Sequence, residues 1–403
     1  MPEPSHPSET VARAQAGADA EPLVSPVDDR VAGADPAAVD ADADGDGAAP
    51  DAPMAPSPRS VTLSIAVLVT LLLLTVLVFL RVPYAVSAPG PTRDTLGEVD
   101  GRPLIEVEGT ATYESTGELL LTTVSVAGGP GYPVTLPQVV AGWVSSARTV
   151  RPVEAVFAPD ITQDQLDQQN QAAMTSSQES ATVAALEELG YEVPAELLVA
   201  GAVEGTGAAG VVQEGDVLVA FRGEPVESYT ALIGALDTTE PGTTVTLSVL
   251  RDGKPLDLDV VTGERPDGGS QLGVFIDPQF DLPVDVTIRI DDIGGPSAGL
   301  MFALGIVDHL TPEDEVAGEV VAGTGTMDVD GAVGPIGGIR QKLAGAERDG
   351  ADWFLAPSDN CAEVVGHVPD GLRVVRVATL AEGRDAIEAI GAGTADDLAT
   401  CTG

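Results

Sequence analysis

Hydrophobic and polar positions divide the chain into stretches of different period. Residues 1–59 are rich in Ala, Asp, Pro and Ser and hold almost no aromatic or long aliphatic side chains. Such a segment cannot offset the entropy of ordering, so a disordered acidic tail is expected there. Residues 60–80, SVTLSIAVLVTLLLLTVLVFL, then run without a charge. About 20 apolar residues cross a bilayer as a helix, and this run predicts one transmembrane helix. A cleaved signal peptide would start nearer the first residue and carry a shorter apolar core. Arg59 and Arg81 flank the run symmetrically, which leaves the positive-inside rule without a preference. A short tail inside and the folded mass outside is the simplest topology. It predicts a single-pass protein of the cell membrane with its C-terminal domains extracytoplasmic.

After a Pro/Gly-containing linker at residues 82–91, residues 95–190 read as an α/β segment. Gly117 to Val126 is a strand candidate closed by the turn-forming run Gly128-Gly129-Pro130-Gly131, and Asp164 to Leu189 favours helix with no internal proline. From 191 to 264 short β runs alternate with Gly turns. Gly215-Asp216, the run Val217 to Phe221 and the turn Gly223-Glu224-Pro225-Val226 follow one another. Ser228 to Leu236 reads as a helix, and Thr243 to Val261 as a hairpin turning at Asp252-Gly253. This succession resembles a PDZ domain, and the resemblance implies a module that binds extended peptides by strand addition. The glycine-containing carboxylate loop of such domains is missing at the matching position, Val193-Pro194-Ala195-Glu196.

Charge narrows the function classes. A formal net charge of -44 repels phosphate backbones, so nucleic-acid binding is excluded as an expectation. Two cysteines, Cys361 and Cys401, give neither a disulfide scaffold nor a Cys-based zinc site. In an oxidising compartment they could pair and tie down the C-terminal tail, although spacing alone leaves two separate thiols open. No cofactor or metal is expected.

Candidate chemistry lies in residues 270–392. The alternating run VDVTIRI, 284–290, is followed by a glycine-rich turn and an apolar helix pattern: Gly294-Gly295-Pro296-Ser297-Ala298-Gly299-Leu300. A serine at a helix start has free backbone N–H groups beside it, fit to hold a developing oxyanion. Taken alone, Ser297 could equally be a helix cap. As a nucleophile it needs a base. Among the histidines, His6 lies in the tail and His309 suits a helix C-terminus, which leaves His367 or a lysine. Only two lysines occur, Lys254 and Lys342. Lys342 follows Arg340 by two positions in a chain whose other basic residues are nearly all arginine, and lysine, unlike arginine, can be deprotonated to serve as a base.

The run Gly331-Ala332-Val333-Gly334-Pro335-Ile336-Gly337-Gly338-Ile339-Arg340-Gln341-Lys342, after Pro296-Ser297-Ala298-Gly299, resembles the Lon protease proteolytic domain. The resemblance implies a Ser297–Lys342 dyad, a supporting role for Thr324 and assembly as a homo-oligomer. It departs from the family where an acidic residue often stands three positions before the serine. Here that position is Gly294, with Asp291 and Asp292 nearby. The strand near Leu119 to Val124 resembles the family's first strand, which would insert the PDZ-like module into the peptidase domain. No phosphate loop of the Gly-x-x-x-x-Gly-Lys-[Ser/Thr] type occurs, so ATP dependence is not expected.

The expected fold class is therefore α+β: a Lon-type proteolytic domain with a PDZ-like β module, preceded by one transmembrane helix and a disordered tail. Such membrane-anchored proteins are a type carried by Gram-positive bacteria. The expected activity is ATP-independent endopeptidase cleavage of peptides or unfolded proteins. Two alternatives are weighed against it. Gly295-Pro296-Ser297-Ala298-Gly299 fits a nucleophile elbow with His367 as base, though the chain lacks the strand and helix alternation of that fold. The other is a catalytically silent, membrane-tethered PDZ scaffold.

Overall fold

The computed structural model describes residues 58–265, 269–290 and 293–401. Helix α1, Pro58–Phe79, contains the stretch Val61–Phe79, long and apolar enough to cross a membrane. Leu68 and Phe79 on it stay 68% and 74% exposed, an apolar surface that water alone would not favour. Asp291 and Asp292, like most of the expected tail, fall outside the described residues.

Beyond α1 the chain forms short strands β1 (Arg81–Val82), β2 (Tyr84–Pro89), β3 (Arg93–Asp94) and β4 (Ile105–Glu108). They are followed by β5 (Glu118–Leu121), β6 (Val124–Ala127) and β7 (Val134–Thr135). Helix α2, Leu136–Trp143, carries a proline in its first turn and a capping box from Thr135 to Gln138, so its start is fixed locally. Strand β8, Thr149–Pro152, then pairs with β2, whose other side pairs with β6, in a three-stranded antiparallel sheet.

Helix α3, Gln163–Glu188, begins at Thr162, whose hydroxyl accepts from the Gln165 N–H. It buries a stripe of small residues, among them Ser177, Ala181, Ala184 and Ala185, which lets its backbone approach closely.

The next module is an antiparallel sheet. Strands β9 (Ala195–Ala202), β10 (Val217–Phe221), β11 (Glu224–Pro225), β12 (Thr244–Arg251) and β13 (Lys254–Val261) surround helix α4, Tyr229–Asp237, which Ser228 caps. Asp252 and Gly253 both have positive φ at the β12–β13 turn, the geometry that an Asp-Gly pair favours. A further strand, β14 (Val274–Phe280), pairs antiparallel with β9, so the sheet extends past the boundary at 264 that the sequence suggested. Pro278 within β14 cannot donate to a ladder, and an edge strand tolerates it. The order β13-β12-β10-β9-β14 makes β9 an interior strand. No peptide can therefore pair along the strand that follows Val193-Pro194-Ala195-Glu196; the open long edges belong to β13 and β14.

Besides two-residue strands and short helical turns, the chain then forms β15 (Asp285–Ile288), α5 (Gly299–Leu310), β16 (Val320–Gly323), α6 (Ile339–Arg348), β17 (Trp353–Pro357), β18 (Arg373–Val377) and α7 (Leu380–Gly391). Strands β18, β17, β16 and β5 lie parallel, with β3 antiparallel at the edge. Both faces of this sheet are covered. Leu119, Leu121, Val321, Leu355 and Val375 pack with Leu300, Leu304 and Ile387, whereas Leu120, Ala322, Phe354, Ala356 and Val374 pack with Ile339, Leu343 and Ala346. Alternate residues of each strand thus face α5 and α7 on one side and α6 on the other, which is why the strands read as continuous apolar runs.

Strand β5 pairs with β16 from Glu118↔Val320 to Leu121↔Gly323, and the whole PDZ-like module lies between these two segments in sequence. Cys361 and Cys401 form a disulfide that ties the C-terminal end to the parallel-sheet unit, and the Val375↔Thr400 bridge runs beside it.

Candidate active site

In open parallel sheets the crevice forms at the carboxyl ends of the strands. Thr122 leaves β5 there and Thr324 leaves β16 there, side by side because the two strands pair in register. The Thr122 hydroxyl donates to Gly323 O at 3.0 Å and locks the two exits together. A cleft of about 490 Å³ opens at this edge, lined among others by Thr122, Asn170, Gly295, Ser297 and Lys342.

Ser297 stands in the turn before α5. Its backbone carbonyl accepts from Gly325 N at 3.0 Å and from the Thr324 hydroxyl at 2.9 Å, which fixes the residue from behind. Gly295 has φ +92° and donates its N–H to Asn170 O at 2.9 Å. A side chain at Gly294 would place its Cβ 2.6 Å from the Asn170 Cβ, so the acidic residue found there in many Lon proteases has no room while α3 lies where it does. Among the described residues nothing accepts from the N–H groups of Ser297 and Ala298. They are the free donors of a helix start.

Lys342 arrives from the opposite face of the sheet on α6, one turn after Gly338, whose φ of +75° starts the helix in the left-handed region. Its side chain is 2% exposed. Nζ lies 2.8 Å from Ser297 Oγ, 2.8 Å from Thr324 Oγ1 and 2.8 Å from Thr122 O. The roles of these contacts can be counted. Thr122 O can only accept. The Thr324 hydroxyl gives its proton to Ser297 O, so its oxygen accepts from Nζ. Two N–H bonds of a neutral amine are thereby used, and the remaining lone pair faces the Ser297 hydroxyl, which can donate to it. Burial without an opposing carboxylate pushes the Lys342 amine down to about 7, so the neutral form is accessible near neutral pH.

The three residues singled out by sequence, Ser297, Lys342 and Thr324, thus meet at one point. His367 does not join them: it is exposed outside the cleft, with Nδ1 3.2 Å from Val365 O. His309 sits in the last turn of α5, roughly 15 Å along the helix from its start at 1.5 Å per residue. Neither histidine can serve Ser297. Sequence reasoning missed Thr122 and Asn170, which act through backbone carbonyls and carry no side-chain signature.

Residues 284–387 match the family model of the Lon protease (S16) C-terminal proteolytic domain, and residues 176–262 match that of the PDZ domain. The chain carries a Lon-type proteolytic domain and a PDZ domain. The Lon protease 2 of Bacillus subtilis is 35% identical over 112 residues, covering 26% of this chain and 19% of that protein. The Lon protease of Azospirillum brasilense is 39% identical over 103 residues, covering 25% of this chain and 12% of that protein. The chain therefore spans less than a fifth of the length of these curated relatives. A solved PDZ domain of the SdrC-like protein from Listeria innocua is 20% identical, covers 20% of this chain and 92% of its own, and has a TM-score of 0.20. The PDZ match begins inside α3, which packs on α5 of the Lon-type domain. The buried alanines of α3 join the core around α5, and none of its residues joins the core of the β9–β14 sheet.

Proposed function

We propose that the protein is a membrane-anchored, ATP-independent serine endopeptidase in which Ser297 is the nucleophile and Lys342 its base. The observation that carries this reading is the 2.8 Å contact between Lys342 Nζ and Ser297 Oγ in a buried pocket whose other contacts leave the amine lone pair for the hydroxyl. Neutral Lys342 takes the Ser297 proton as Oγ attacks the peptide carbonyl carbon. The oxyanion that forms is held by the free N–H groups of Ser297 and Ala298. The Lys342 ammonium returns its proton to the leaving amine, and a water, deprotonated in turn by Lys342, releases the acyl-enzyme. Thr324 positions the base.

Substrate entry follows from the open strand edge at the cleft. Among the described residues β6 pairs only with β2, and Val124, Ser125 and Val126 line the cleft at the unpaired edge. An extended peptide adds there as a strand and brings its carbonyl to Ser297. The PDZ domain recruits peptides at the open edge of β14. Helix α1 crosses the cell membrane and holds the two domains on the extracytoplasmic side, a compartment that also suits the Cys361–Cys401 disulfide.

The test is cleavage of casein or a peptide library without ATP, by wild type and by Ser297→Ala, Lys342→Ala and His367→Ala. Loss in the first two with retention in the third supports the dyad. Cleavage by none of the proteins, wild type included, would favour the silent scaffold.

A further inference from the structure

The surface that follows the apolar helix differs from the rest of this acidic chain. From Ser60 to Arg93 and again from Leu119 to Val153 there is no Asp or Glu, although the chain has 63 of them. The structure gathers these two stretches into one place. β1 pairs with β7 through Arg81↔Thr135 and Val82↔Val134, and β2 pairs with β6 and β8. The N–H of Leu136, the first residue of α2, donates to the carbonyl of Leu80 at 3.1 Å. Helix α2 is thus fastened one hydrogen bond from the end of the apolar run.

Its buried side holds Val139 and Gly142. The flank beside it presents Val140, Trp143 and Val144, 46%, 61% and 82% exposed, at the i, i+3, i+4 spacing of a single helix stripe. Trp143 rests one edge on Tyr84, ring centroids 6.1 Å apart, and leaves the remainder uncovered. Arg81, Arg148 and Arg151 are exposed on the adjoining segments. An apolar stripe with an aromatic ring, arginines at its border and no carboxylate is the composition of a segment lying at a lipid headgroup boundary.

We infer that α2 lies on the membrane surface beside the span, with Val140, Trp143 and Val144 inserted among the lipids, and that this second contact fixes the peptidase against the bilayer. The inference rests on the reading of residues 60–80 as a membrane span. It holds for either orientation of that span, because α2 is tied to whichever leaflet the folded mass faces.

The experiment uses the full chain in phosphatidylcholine and phosphatidylglycerol vesicles. The chain has two tryptophans, and Trp353 is buried in the core, so Trp353→Phe leaves Trp143 as the sole indole. Trp143 emission is expected to be quenched about twofold or more by lipids brominated near the ester end of their chains, and less by lipids brominated near the methyl end. Aqueous iodide should quench it weakly, and adding Val140→Asn and Val144→Asn should reverse that preference. Trp143 open to iodide and untouched by lipid bromines would overturn the inference. Extraction at alkaline pH reads the span separately. A chain that resists extraction with Trp143 in water keeps the anchor and loses the α2 contact. A chain that is extracted while Trp143 is quenched loses the anchor and keeps the contact, and one that is extracted and unquenched loses both.

Discussion

The PDZ domain and the Lon-type domain solve opposite problems with similar means. In the PDZ domain every core strand from Ala195 to Phe280 is continuous in sequence, and its core of Leu197, Phe221, Leu232, Val249 and Leu272 belongs to that stretch alone. The Lon-type sheet pairs Leu121 with Gly323 across the whole of that module. One region can form from its own contacts, whereas the other exists only after a long loop has closed. The proposed reactive groups lie in the second, drawn from Thr122, Ser297, Thr324 and Lys342. Placing a site on non-local pairing makes it depend on the finished fold, so no partial structure presents an active serine.

The comparison breaks most sharply at the dyad. Ser297→Ala and Lys342→Ala should each lower kcat/KM for a peptide at least about 10³-fold with the fold intact, read by a fluorogenic assay and circular dichroism. Retained cleavage in either would remove that residue from the chemistry. Next comes the core of the other region. Asp216 is 1% exposed and accepts from Arg251 Nε at 2.7 Å and Nη2 at 2.8 Å. Asp216→Ala removes both carboxylate bonds from Arg251, whose Nη2 keeps only its bond to Val211 O, and should destabilise the PDZ domain. Hydrogen exchange should then rise across residues 195–280 while the strands around Ser297 stay protected; equal loss in both would contradict the independence drawn above.

Cys401→Ser removes the covalent tie on the Lon-type side and should cost about 2–4 kcal/mol in urea unfolding, with little change in the PDZ domain's exchange. Thr324→Val deletes both the acceptor for Nζ and the donor to Ser297 O. A fall of about 10- to 100-fold in kcat with KM nearly constant is expected, since burying an unsatisfied amine costs about 1–3 kcal/mol.

The smallest effect is the pH profile. With the Lys342 amine at about 7, kcat/KM should rise about tenfold per pH unit below that value and level off above it. The folded amine lies below its ordinary 10.5, so between the two values the unfolded chain binds more protons and this group's contribution to stability increases with pH. Lys342→Met, which has no such proton, should therefore be more stable than wild type near pH 6, and the difference in Tm should shrink toward pH 10. A constant difference would mean that the lysine is protonated in its pocket at every pH measured.

Much of this was readable from residue types. The uncharged run at 60–80, the Asp252-Gly253 turn, the helix read from Ser228 to Leu236 and the Ser297 and Lys342 motifs each act over a few positions, and the structure places them in elements of the expected kind. What stayed hidden is relational. Helix α3 forms where Asp164 to Leu189 suggested it, but it packs through alanine and serine, so no apolar stripe announced its partner. Strand β14 contains Pro278, a residue that argues against a strand, yet at a sheet edge the missing N–H costs no ladder bond. Thr122 contributes a carbonyl that every residue possesses, and only the register of β5 with β16 gives that carbonyl its position.

The chain enters the PDZ sheet at Pro194 and leaves it at Asp281, and the Asp281 N–H donates to Pro194 O at 2.8 Å. The two junctions are thus neighbours, although 86 positions lie between them along the sequence. Whatever occupies that gap is a cassette: it can be excised and closed with a short glycine turn, or exchanged for another sheet with adjacent ends, without rethreading the protease around it.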